Sequence, residues 1–318
     1  MGAFPVFDPL AYLLHCYVRL HSSQEKPMSV LIEPAELQVA MACEPMVVID
    51  TRDPGVYAKG HLPGAVNLRE IFTYLATSDP DGLESLKEKF AEAFGAAGLS
   101  GKETAVLYED AMNTGFGQSC RGYFILSYLG YPNVKVLHGG YQAWLAAGLP
   151  TSTEAVTPAP ATFPTHAAVD VMVDRDAMLA AVKSGSATLL DVRDVDEWIG
   201  ASSSPYGPDF CPRKGRIPNA RWIEWYRLMK PGADGPVFKA GPEVLAECLT
   251  AGITPETPVI VYCFKGARAS NTFLILKEAG IKNVKIYFGS WNEWSRDPSL
   301  PIEEGFPQAP GMTYAKAA

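Results

Sequence analysis

The 318-residue chain carries one set of sequence blocks twice, in one order. Met46-Val-Val-Ile-Asp50-Thr-Arg52-Asp53 returns as Ala187-Thr-Leu-Leu-Asp191-Val-Arg193-Asp194, and Gly60-His-Leu-Pro-Gly-Ala65 returns as Gly215-Arg-Ile-Pro-Asn-Ala220. Ala105-Val-Leu-Tyr-Glu109 returns as Val259-Ile-Val-Tyr-Cys263, and the block Asn133 to Trp144 returns as Asn283 to Trp294. Four matched blocks in one order mean duplication, so the two halves share a fold. Pro150, Pro158, Pro160 and Pro164 lie among Thr and Ala between the halves, a composition that stiffens a linker toward polyproline II. The expected organisation is an extension over residues 1–28, a domain over 29–150, a linker over 151–165, a second domain over 166–302 and a tail over 303–318.

Within each half, short Val- and Ile-rich runs (Val47 to Ile49, Ala105 to Tyr108, Val134 to Leu137; Leu189 and Leu190, Val259 to Tyr262, Val284 to Tyr287) alternate with helical stretches such as Gly122 to Leu129 and Thr272 to Ala279. Near-continuous apolar strands separated by helices predict an α/β fold, each half a small parallel sheet with helices on both faces. With 47% hydrophobic and 19% charged residues the chain has core-forming material, and its net charge of −8 has the wrong sign for broad phosphate neutralisation. Nucleic acid is not an expected partner. No apolar run approaches the ~18 residues that a bilayer span needs, and the first 26 residues lack the basic start of a signal peptide. The six cysteines form no C-x-x-C pair and have no His at zinc spacing, so free thiols in a reducing cytoplasm, with no metal and no cofactor, are expected.

In α/β sheets ligands gather beyond the carboxyl ends of strands, and there the repeats diverge. The second half reads Tyr262-Cys263-Phe264-Lys265-Gly266-Ala267-Arg268, a strand end, a cysteine and a short loop with two cations before a helix starting near Ala269. A thiol at a helix N-terminus beside Lys265 and Arg268 is where the thiolate is favoured. Gly266 lets successive amides curl into an anion-binding nest.

These blocks resemble the rhodanese (thiosulfate sulfurtransferase) family in its tandem two-domain form, over roughly residues 29 to 302. The resemblance rests on the two Asp-x-Arg strand ends, Gly60-His-Leu-Pro-Gly-Ala65, His138-Gly-Gly-Tyr-x-x-Trp144 and the Cys263 loop. It implies a catalytically silent first domain, matched by Glu109 where the cysteine would stand. Cys263 would accept a sulfane sulfur as a persulfide and pass it to cyanide or a thiol, while the Phe264 to Arg268 loop holds the donor anion. The family's loop lysine falls on Lys265, and a cation from the silent domain falls on Arg121. Ala267 and Arg268 depart from the small residue and Thr of many thiosulfate enzymes, so 3-mercaptopyruvate stands as an alternative donor. A non-catalytic binding module is a further alternative. Phosphatases of related loop design place five residues between Cys and Arg, whereas four separate Cys263 from Arg268.

Asp50 with Arg52 and Asp191 with Arg193 occur in both halves, so capping or buried pairing is expected of them. His61 and His138 have no partner placed to make a general base, and Cys120 reads as a buried apolar residue. Residues 200–215 are inserted relative to the first half and predict a surface loop, which Arg213, Lys214 and Arg216 would suit as an acceptor entrance. A monomer with a small anionic donor is expected.

Overall fold

The computed structural model describes residues 29–164, 166 and 170–307. The expected N-terminal extension, Cys16 and most of the tail lie outside the described residues. The first half forms a parallel sheet from β1 (Leu31–Ile32), β2 (Met46–Asp50), β3 (Val66–Asn67), β4 (Thr104–Tyr108) and β5 (Val134–Leu137), ordered β1-β5-β4-β2-β3. The second half repeats it with β6 (Met172–Val173), β7 (Thr188–Asp191), β8 (Arg221–Trp222), β11 (Val259–Tyr262) and β12 (Val284–Tyr287), ordered β6-β12-β11-β7-β8. Among the described residues, only the second half adds an antiparallel hairpin, β9 (Met229–Gly232) with β10 (Gly235–Phe238). The predicted duplicated α/β fold is what forms.

The strands read as apolar runs because helices cover both faces: every residue of Ala105 to Tyr108 and of Val259 to Tyr262 is buried. The helix after β4, Gln118–Tyr128, faces the helix after β11, Ala267–Glu278, across the domain boundary. Phe124 packs on Phe273 and Phe288, each 5.2 Å between ring centres. A Cβ on Gly117 would lie 2.6 Å from the Ala267 carbonyl oxygen, so glycine is required for this approach. Both helices start earlier than expected, at Gln118 and Ala267, because Gly117 (φ 77°) and Gly266 (φ 91°) turn the chain in with left-handed backbone.

The linker is laid onto the first domain. The Ala161 amide donates to the Gly95 carbonyl at 2.8 Å, and buried Phe163 stacks on Tyr131. Residues 200–215 form the expected surface loop, without helix or strand and mostly exposed or half-buried, but the loop is tethered: Ser203 and Cys211 are buried. Arg213 donates to the carbonyls of Trp294, Ser295, Asp297 and Leu300, and Arg216 pairs with Glu303. Lys214 pairs with Asp209. Arg213 and Arg216 thus tie the insertion to residues 294–305, Lys214 pairs within it, and none of the three lines the cavity beside Cys263.

The doubled Asp-x-Arg motif is structural in both halves. Arg193 clamps Asp191 with bonds of 2.6 to 3.1 Å, reaches the Gly215 carbonyl, and lies over Trp291; Arg52 does the same with Asp50, the Gly60 carbonyl and Tyr141. Tyr262 and Tyr108 donate their hydroxyls to these aspartates. His61 is held between the carbonyls of Tyr57 and Glu154, and His138 bridges Glu33 to the Phe238 amide of the other domain. Cys43 is disulfide-bonded, while Cys120, Cys211, Cys248 and Cys263 are free. The expectation of six free thiols is corrected at Cys43, and the reducing-compartment argument loses that support. Among the described residues, no helix is long and apolar enough to cross a membrane.

Candidate active site

Cys263 follows β11 at the floor of a cavity of about 300 Å³ between the domains. Its Sγ accepts the Gly266 amide at 3.1 Å. The Cys263 and Phe264 carbonyls are turned away, accepting the amides of Trp291 and Asn292, and the Cys263 amide donates to Ser290 Oγ. The loop is thus pinned on one side and open to the cavity on the other. Gly266 is required here, since a Cβ would lie 2.8 Å from the Phe288 ring.

Five residues of the loop and helix start line the cavity: Cys263, Phe264, Lys265, Ala267 and Arg268. The structure therefore brings the loop singled out in the sequence to one surface, Gly266 supplying the amide bond to Sγ. Lys265 Nζ lies 4.0 Å from the centre of the Phe72 ring and 5.0 Å from that of Tyr206, held by cation–π attraction. Burial, and then the positive field of Arg121, pull its pKa down to about 7. Near neutrality it is half charged, and an incoming anion would draw it into the charged form.

Two cations behave differently from the expectation. Arg268 borders the cavity, but its guanidinium is spent on Glu197 (2.6 and 3.1 Å) and Asp194 (3.0 Å), with Glu197 fully buried. A buried charge needs such partners, and they cancel most of the field it offers to an anion. Arg121 does not line the cavity. It is fully buried, donates to the carbonyls of Phe72 and Tyr74, and lies 4.9 Å from the centre of the Phe288 ring. Its placement as a donor ligand is corrected: its hydrogen bonds shape the segment that carries Phe72, and its charge reaches the site only as a field.

The sequence reading missed Arg69, which lines the cavity from the first domain and bonds the Thr51 carbonyl and Gln118 Oε1. It also missed the aromatic wall, Phe72 and Phe116 from the first domain and Tyr206 from the insertion. None of these falls in a repeated block, so nothing in the internal comparison marked them. Tyr206 packs edge-on against Phe264 at 5.5 Å, which is how the insertion reaches the site.

At the matching strand end of the first domain, Glu109 puts its own carboxylate into the helix start. It accepts the Gln118 amide at 2.9 Å and the Ser119 hydroxyl at 3.1 Å. Burial pushes its pKa up to about 8 against those bonds. Gly115 has no side chain because a Cβ would lie 2.0 Å from Glu109 Oε2. The first domain thus fills its anion pocket internally, while the second leaves its own open.

A family model described as "Rhodanese-like domain" matches residues 33–147 and 174–297. The chain is 30% identical over 278 residues to a thiosulfate sulfurtransferase of Azotobacter vinelandii, covering 87% of this chain and 97% of that one. It is 31% identical over 261 residues to the sulfur carrier protein TtuD of Thermus thermophilus, covering 79% and 87%. Among solved structures it is similar to the anaerobic ergothioneine biosynthesis enzyme of Chlorobium limicola in complex with trimethyl histidine. That match has a TM-score of 0.75 at 26% identity, over 87% of this chain and 70% of that one.

Proposed function

This chain belongs to the rhodanese family and is a sulfurtransferase, and on that premise we propose that it moves the sulfane sulfur of thiosulfate to a thiol or to cyanide through a persulfide on Cys263. The Cys263 thiolate attacks the outer sulfur of thiosulfate, an Sγ–S bond forms, the donor's S–S bond breaks, and sulfite leaves with the electron pair. No general base is needed once the nucleophile is a thiolate. The observation that carries the reading is Cys263 Sγ on the Gly266 amide, at the floor of a cavity that also holds Lys265. An amide donor and a nearby cation favour negative charge on Sγ and on the donor's oxygens.

Lys265 favours thiosulfate over 3-mercaptopyruvate, because a compact dianion keeps its charge beside its reacting sulfur. A trimethylated amine of the kind bound by the Chlorobium limicola enzyme would seek the faces of Phe72 and Tyr206, and Lys265 Nζ already occupies them. The protein is proposed to act as a monomer, since its cavity is built from both halves of one chain.

Treating the protein with thiosulfate and mapping peptides by mass spectrometry tests this. One added sulfur is expected on the peptide containing Cys263, and thiosulfate-to-cyanide transfer is expected to vanish in Cys263→Ser while surviving Cys120→Ser and Cys248→Ser. Sulfur added elsewhere, or an active Cys263→Ser, overturns the mechanism.

A further inference from the structure

A second groove, of about 590 Å³, adjoins the catalytic cavity; Phe116 and Pro205 belong to the walls of both. Its other side carries Asp194, Asp196 and Tyr226. We propose that this groove is the acceptor subsite and that it takes a small thiol bearing an ammonium group, an inference that rests on the sulfurtransferase reading above.

The two hollows are opposite in charge. On the donor side stand Lys265 and Arg69. On the groove side the carboxylates of Asp194, Asp196 and Glu197 converge within 4.8 Å, and one cation, Arg268, answers them through Asp194 and Glu197. Asp196 is exposed and has no ion-pair partner among the described residues. The Glu224 carboxyl is pushed up first by burial and then by Asp194, with the Val195 amide and Arg268 opposing that rise and Asp196 adding to it. Tyr226 and Phe116, both partly exposed, add ring faces to which an ammonium is attracted. Arg268 borders the catalytic cavity and touches Asp194 in the groove, so one arginine side chain spans the gap between the hollows. The combined volume of the two adjoining hollows suits a small molecule that reaches from one to the other.

In the step this serves, the acceptor thiolate attacks the outer sulfur of Cys263–S–SH. A new S–S bond forms, the Sγ–S bond breaks, its electron pair returns to Sγ, and the outer sulfur keeps its proton in the product R–S–SH. The reaction needs no external oxidant or reductant.

The test loads Cys263 with thiosulfate, removes the excess and follows discharge of the added sulfur by mass spectrometry. Cysteamine and 3-mercaptopropionate, short thiols of opposite charge, are compared per thiolate, each rate normalised to cyanide discharge of the same variant. Cysteamine is expected to discharge the enzyme about fivefold faster than 3-mercaptopropionate, the ratio due to one partly exposed ion pair. In Asp196→Asn, which keeps the oxygen that accepts the Glu197 amide, the two thiols should become nearly equal. Tyr226→Leu should lower the cysteamine rate alone. A loaded enzyme that does not distinguish the thiols, or an Asp196→Asn variant that slows both alike, overturns the subsite while leaving the sulfurtransferase reading intact. Failure of Cys263 to load overturns both.

Discussion

Replacing Lys265 with methionine removes the charge and keeps the length of the side chain that Phe72 and Tyr206 hold. With a pKa of about 7 in the free enzyme, Lys265 is about nine-tenths charged at pH 6 and about one-tenth charged at pH 8. If the charged form binds the donor, kcat/KM for persulfide formation should fall about tenfold over that range, because kcat/KM reports the free enzyme's groups. That falling limb identifies the cation. At pH 6 the lost contact is a charge-assisted hydrogen bond of about 1.5 to 3 kcal/mol, or roughly 10- to 150-fold in kcat/KM. Lys265→Met should therefore be slow at pH 6 and should lack the falling limb. Stability gives an independent readout. Between about pH 7 and the ordinary lysine value the unfolded chain binds a proton that the folded chain does not, so the wild-type protein gains stability as pH rises there. The variant should not. Stopped-flow persulfide formation at single turnover, with thermal melts across the same pH values, measures both. A falling limb retained in Lys265→Met would refute the assignment of that limb to Lys265.

Three further outcomes follow from the geometry. Arg268→Met leaves the fully buried Glu197 carboxylate without its cation and should cost about 3 to 5 kcal/mol in a denaturant melt, whereas adding Glu197→Leu should recover most of it; equal losses in the single and double variants would refute the pairing argument. Gly266→Ala must place a methyl 2.8 Å from the Phe288 ring at φ 91°, so the variant should lose about 1 to 3 kcal/mol and most of its sulfurtransferase activity, as read by melting and by persulfide yield. Glu109, with its pKa raised to about 8, binds a proton in the folded state that the unfolded state has released, so wild-type stability falls as pH rises from about 4.5 to 8; Glu109→Gln should flatten that slope and be the more stable protein at pH 9.

The duplication, the α/β class and the place of Cys263 at a strand end were legible in the sequence because each depends on local order. Apolar runs with Val and Ile reveal buried strands wherever they occur, two copies of one pattern must share one topology, and a cysteine between a strand and a glycine-started helix is placed by the backbone alone. What each cation does was not legible. Lys265 and Arg268 look equivalent in the loop, yet Lys265 ends between two aromatic rings and Arg268 ends on Glu197 and Asp194, 71 residues away in the case of Glu197. Arg121 looked like a donor ligand, but the carbonyls of Phe72 and Tyr74 take its guanidinium. Arg69 and Tyr206 meet at the cavity only because the helices starting at Gln118 and Ala267 pack face to face and the insertion folds back over Phe264. A buried charge takes whichever partners tertiary packing brings within reach, and the spacing of residues along the chain holds no record of that distance.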